Sequence, residues 1–189
     1  MEAPHLPTAR LLLRPWHDGD KPAYAALNAD PEVMAHFPAT LTTEQSDEMV
    51  DRLAGFWDER GFGGWAVERL DTGDCIGTVI LLSPAWDAWF TPCVEVGWRF
   101  ARPHWGHGFA PEAAHAAVDW AFGHLDLPND ELVSFTTEQN VKSRRVMEKL
   151  GFTHDPADDF DHPLLEGWVE ARHVIYRMSR QRWTSGAAD

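Results

Sequence analysis

The chain has 189 residues, 44% hydrophobic and 24% charged, an ordinary globular composition with length enough to bury a core. Its 16 basic residues stand against 30 acidic ones; the resulting net charge of −14 argues against a nucleic-acid partner and suits a cationic substrate. Cys75 and Cys93 make neither a disulfide framework nor a metal quartet, no apolar run reaches membrane-spanning length, and "MEAPHLPTAR" lacks the signal-peptide pattern, so a soluble cytoplasmic protein is expected.

In chain order, "RLLLRPW" reads as a strand closed by Pro15. A short helix over "KPAYAALN" follows and ends at the turn "DPEV". Thr42 and Gln45 have capping-box spacing, after which Met49, Val50, Leu53, Phe56 and Trp57 recur at helical intervals up to Gly61. "GWAVERL" and "CIGTVILLS" form a hairpin about "DTGD". Trp86, Trp89 and Phe90 lie in a proline-bounded loop, as core residues, as the lining of a substrate site, or as a contact in a dimer. "CVEVGWRF" is the next strand, and "PEAAHAAVDWAF" is a helix with Pro111 in its first turn. "LVSFTTE" is a strand, and Asn140 opens a helix over "VKSRRVMEKL" that Gly151 closes. "HDPADDFDHP" lacks the spacing of a calcium loop and reads as a solvated loop, "RHVIYRMS" is the last strand, and "TSGAAD" is expected to fray. No repeat or linker divides the chain, so a single domain over residues 1–189, with a core of about 8–179, is expected. Its fold class is a mixed α/β sheet, mostly antiparallel and flanked by helices, with one βαβ crossover.

Within the crossover, Gly106 and Gly108 separate a strand from a helix, an arrangement that turns main-chain N–H groups and a helix N-terminus toward an anion. Phe109 and Ala110 stand where a P-loop needs Lys and Ser or Thr, and Pro111 stands where a dinucleotide fingerprint needs a small residue. A loop for the pyrophosphate of coenzyme A, "GHG" followed by Ala110, remains. His104 and His107 flank it without a third metal ligand.

The stretches "TARLLLRPW", "NADPEVMAHFP", "GGWAVERLDTGDCIGTVIL", "VEVGWRFARPHWGHGFAPEA" and "NVKSRRVMEKLGF" resemble, in that order, the GNAT superfamily of N-acetyltransferases, in its RimJ/RimL-like branch. Pro103 departs from the Gln or Arg usual three residues before the first glycine, a loss that Arg102 would offset. The resemblance implies acetyl-CoA as co-substrate, no metal, and direct transfer to a primary amine, either a protein N-terminus or a small amine such as an amino acid, polyamine or aminoglycoside. It implies that the backbone of Trp105, Gly106, His107, Gly108, Phe109 and Ala110 wraps the pyrophosphate, and that the strand ending at Phe100, together with Asn140, holds the pantetheine arm. A non-catalytic acyl-CoA-binding module is the rival, and a monomer or homodimer fits either.

Two side chains suit the chemistry. Glu95, among Val94, Val96 and Trp98, is placed as the base that takes the amine's proton; strand alternation alone would instead turn it to solvent. Met147 replaces the tyrosine that many relatives use to protonate the thiolate, and the resemblance passes that role to Ser143, whose alternatives are a cofactor contact or a helix cap. Lys142, Arg144 and Arg145 either meet the distal phosphate of coenzyme A or form a solvated helix face beside Glu148.

Overall fold

The computed structural model describes residues 2–186. Its strands are β1 (Leu6–Pro7), β2 (Leu11–Arg14), β3 (Gly64–Arg69), β4 (Cys75–Leu82), β5 (Glu95–Phe100), β6 (Glu131–Thr137), β7 (Thr153–His154), β8 (Phe160–Asp161) and β9 (Arg172–Ser179). The helices are α1 (Lys21–Ala29), α2 (Thr43–Arg60), α3 (Phe109–His124), α4 (Val141–Lys149) and α5 (Arg180–Thr184). The sheet runs β1-β2-β3-β4-β5-β6-β9-β7, with β8 on β9. β5 and β6 pair in parallel at Glu95↔Val133, and antiparallel pairing prevails elsewhere. This is the mixed, mostly antiparallel sheet with flanking helices that the sequence predicts.

Two compact units share the chain, Met1–Leu82 with Gly97–Ala117, and Ser83–Val96 with Val118–Asp189. In the first, β2, β3 and β4 form an antiparallel ladder whose apolar face buries Leu11, Leu13, Trp65, Val67, Val79 and Leu81. Thr42 and Gln45 cap α2 reciprocally, and Gly61 ends it in the left-handed region at φ 75°. The helix then turns Val50 inward to pack with Tyr24, Leu27 and Val33. At Gly77 a Cβ would come within 2.3 Å of the Arg99 carbonyl oxygen, so only glycine lets β4 lie this close to β5.

The second unit is built on the β6–β9 ladder, with Phe135 opposite Ile175. Phe90, Cys93, Val133, Phe160 and Ile175 form its core, and Trp86 packs against them. Of the aromatic loop, Phe90 is therefore core, whereas Trp89 is 61% exposed beneath the Arg177 guanidinium. The stretch 154–163 is more ordered than a solvated loop: Phe160 anchors it in the core and Asp159 meets His154 at 2.7 Å.

The helix predicted from Pro111 begins at Phe109, two residues earlier, so Pro111 is its third residue, where no intrahelical N–H is missed. β5 begins at Glu95 rather than Cys93. At the C-terminus Thr184 closes α5 and a turn takes up Ser185 and Gly186; residues 187–189 of the tail expected to fray lie outside the described residues. No helix among the described residues is long and apolar enough to cross a membrane.

Candidate active site

In the first unit, β5 ends at Phe100 and the chain passes through a single 3-10 turn, Arg102–His104, into the glycine loop and α3. Gly106 and Gly108 sit at φ 79° and 80°, a region a side chain reaches only with strain. A Cβ at Gly106 would meet nothing within 4 Å, so this stretch of backbone is open. Among the described residues, the main-chain N–H groups of Gly106, His107, Gly108, Phe109 and Ala110 make no hydrogen bond. Five unpartnered donors at the start of a sixteen-residue helix are groups that an anion could satisfy.

Side chains fix this loop rather than reach into it. Trp105 donates its indole N–H to the Phe100 carbonyl at 2.8 Å and packs against the Tyr24 cluster. Arg10 donates to the His107 carbonyl at 2.9 Å, pairs with Glu112, and lies 4.6 Å over the ring of the buried Phe109. Thr8 donates to Glu112 from the same side at 2.7 Å. Burial opposes ionisation of Glu112, but these hydrogen bonds outweigh it and hold the carboxyl below its usual value. Arg102 is exposed, paired with Glu32 at 2.8 Å and Asp30 at 3.4 Å. His107 is exposed, and burial together with Arg69 lowers the pKa of His104. Among the described residues no group of three His, Cys, Asp or Glu is arranged to hold a metal ion.

In the second unit, Glu95 opens β5 beside the buried Cys93, Val94 and Val96. Its parallel partner Val133 belongs to the aromatic core, and among the described residues the carboxyl has no hydrogen bond or ion pair. Burial without a counter-charge pushes its pKa from 4.5 up to about 8. Asn140 caps α4, its Oδ1 accepting from the Ser143 N–H at 3.2 Å and its amide donating to Thr136 Oγ1 at 2.9 Å. One lone pair and one N–H of the amide are left over. Ser143 is thus capped through its backbone, and its hydroxyl makes no hydrogen bond among the described residues. Of the basic trio on α4, Arg144 is occupied by the Tyr176 hydroxyl and the Glu138 carbonyl, whereas Arg145 is exposed.

The sequence pointed to the loop, Glu95, Asn140 and Ser143, but not to Arg10 and Glu112. Glu112 was visible only as an acid in a helix's first turn; its partner lies 102 residues away.

With this geometry in view, comparison with known proteins is direct. Residues 10–153 match the family model described as an acetyltransferase (GNAT) domain, and the chain belongs to that family. It is 32% identical over 151 residues to an uncharacterised N-acetyltransferase, YoaA, of Bacillus subtilis (strain 168), covering 79% of this chain and 82% of that one. It is 30% identical over 189 residues to the FsC-acetyl coenzyme A-N(2)-transacetylase of Aspergillus fumigatus, covering 95% and 78%. Among solved structures, an acetyltransferase from Agrobacterium tumefaciens strain C58 superposes with a TM-score of 0.76 at 31% identity, covering 95% of this chain and 96% of that one.

Proposed function

We propose that the protein is a cytoplasmic N-acetyltransferase whose single domain transfers the acetyl group of acetyl-CoA to a primary amine. The observation that carries this reading is the run of five unpartnered N–H groups from Gly106 to Ala110 at the head of α3, in a chain that belongs to the GNAT family. These donors fit a pyrophosphate, and the exposed ion pairs of Arg102 are cheap to exchange for a phosphate oxygen. In the first unit the end of β5 at Phe100 would serve the pantetheine arm; in the second, the remaining hydrogen-bonding capacity of Asn140 would serve the same arm and Arg145 the distal phosphate. Acetyl-CoA supplies an acetyl group already activated as a thioester.

Glu95 takes a proton from the acceptor's ammonium, and the neutral amine so formed attacks the thioester carbonyl. A carboxyl raised to about 8 is a stronger base than an ordinary carboxylate and lies closer to the pKa of the ammonium it must deprotonate. As the new C–N bond forms and the thioester C–S bond breaks, the amine's second proton passes to the departing sulfur. The Ser143 hydroxyl, without a hydrogen bond among the described residues, would relay it by donating one proton and regaining the other. A small-molecule amine is the favoured acceptor, because the relative aligned over 95% of the chain is by name a transacetylase of FsC. A protein N-terminus is the alternative, carried by the resemblance of the motifs to the RimJ/RimL-like branch.

The test is thiol release from acetyl-CoA with a panel of amines and N-terminal peptides. Turnover with at least one amine is expected. Tight coenzyme A binding with no thiol release from any amine would make the protein a binding module instead.

A further inference from the structure

We infer that Arg99 recognises a carboxylate on the acceptor, so that the substrate amine is an amino acid rather than a polyamine or aminoglycoside. The inference rests on the acetyltransferase reading above and narrows its acceptor.

Two arginines of the first unit show what is unusual here. Arg14 is buried and saturated: its guanidinium makes two bonds to Asp20, at 2.7 and 2.8 Å, and a third to Glu68 at 2.6 Å. Arg99, half-buried on β5, has no carboxylate within ion-pair distance among the described residues, although the chain carries 30 acidic residues. Its one strong bond goes to a neutral acceptor, the Asn28 side-chain oxygen, at 2.6 Å. Its Nε is buried with no hydrogen-bond partner.

Arg99 keeps part of its guanidinium in water, but it has no counter-charge and its Nε is buried unpartnered, a state that an external anion would relieve. The surroundings hold it in place. Asn28 is fully buried and donates to the buried Ser46 hydroxyl at 2.9 Å, which fixes its oxygen toward Arg99. The Asn28 carbonyl accepts from the Leu41 N–H, tying down the segment that carries Phe37. Phe37, 39% exposed, lies across the guanidinium at 4.2 Å. Nη1 is held by Asn28 and Met49 and Nε is buried, which leaves Nη2 as the donor that an incoming carboxylate would meet first. Among the described residues, Asn28 and Phe37 do not contact the glycine loop's own partners Arg10 and Glu112, although Met49, which Arg99 also touches at 3.8 Å, shares a cluster with Trp105. We therefore assign the anion to the acceptor and let coenzyme A affinity test the cofactor's phosphates as its source.

The experiment compares free L-amino acids with the matching L-amino acid amides, and with polyamines and aminoglycosides, by thiol release from acetyl-CoA. The amide's amine is the less basic and so the more deprotonated at neutral pH, which works against the expected result. The wild type is expected to favour the best free acid over its amide by on the order of 10–100-fold in kcat/KM. Arg99→Gln should bring that ratio near one by raising KM for the acid, with coenzyme A affinity by calorimetry unchanged; Arg99→Lys should keep part of the preference. Equal use of acids and amides by the wild type, acceptance of carboxylate-free amines alone, or a preference that survives Arg99→Gln overturns the inference and leaves the transferase reading standing. A fall in coenzyme A affinity in Arg99→Gln assigns the arginine to the cofactor and also overturns it. Thiol release from no amine overturns both readings together.

Discussion

The glycine loop and the start of β5 solve opposite problems. From Gly106 to Ala110 the groups proposed to bind are main-chain donors, and side chains such as Arg10, Glu112 and Trp105 hold the backbone in shape. At Glu95 the useful group is one carboxyl, made basic by an apolar setting that supplies no partner. The first arrangement is expected to tolerate sequence departures such as Pro103, because binding is assigned chiefly to main-chain groups. The second depends on a single atom pair. Damage to the loop should therefore appear in cofactor affinity, and damage at Glu95 in turnover.

Gly108→Val should break the loop most severely. A β-branched residue at φ 80° is strained, and its Cβ would start 3.4 Å from Arg10 Nη2, so several charge-assisted hydrogen bonds are lost together. Coenzyme A affinity by calorimetry is expected to fall by about 100-fold or more, with the fold checked by circular dichroism. Arg10→Gln removes the grip on the His107 carbonyl and the charge beside Glu112; a fall of about 10-fold in affinity is expected, and kcat at saturating acetyl-CoA should hold. Loss of kcat instead would place Arg10 in the chemistry. Ser143→Ala sharpens the other side of the comparison: kcat should drop by about 3–10-fold with the acetyl-CoA KM unchanged. The smallest effect belongs to Arg145→Ala. One exposed ion pair predicts a loss of about 2–5-fold in coenzyme A affinity, and dephospho-coenzyme A should bind the variant and wild type alike. Wild-type protein that binds both cofactors equally would leave Arg145 as a solvated residue.

What the sequence disclosed follows the same division. Thr42 with Gln45, Asn140 before α4, and the glycines at 106 and 108 act locally, so their spacing alone carries the message. Helices α2 and α4 and the long strands β4 and β9 were legible for that reason. β1, β7 and β8 have two residues each, too few for a period, and exist only because a longer strand pairs with them. Glu95 was a candidate from its apolar neighbours, but whether it faced solvent depended on the aromatic core assembled around Val133. Arg10 and Arg99 were invisible in sequence because their partners, Glu112 and Asn28, are 102 and 71 residues distant.

The pH–rate profile of wild type and Glu95→Gln, read beside a pH series of thermal unfolding, tests the central claim most directly. A base must be ionised, so wild-type turnover should rise through about pH 8, while Glu95→Gln should be slower by on the order of 100-fold near neutrality and recover in part at alkaline pH, where more amine is already neutral. The sign of the stability effect is also fixed: a carboxyl with its pKa raised from 4.5 to about 8 binds more protons folded than unfolded within that window. Relative to Glu95→Gln, wild-type stability should therefore fall as pH rises through it, so that the variant melts progressively higher than wild type toward alkaline pH. The difference removes the opposing contributions of His104, His162 and His173, whose pKa values are lowered. A variant that keeps the wild-type rate and profile, or a wild type whose stability runs parallel to the variant's between those pH values, would contradict the account of Glu95 as a desolvated, unpaired base.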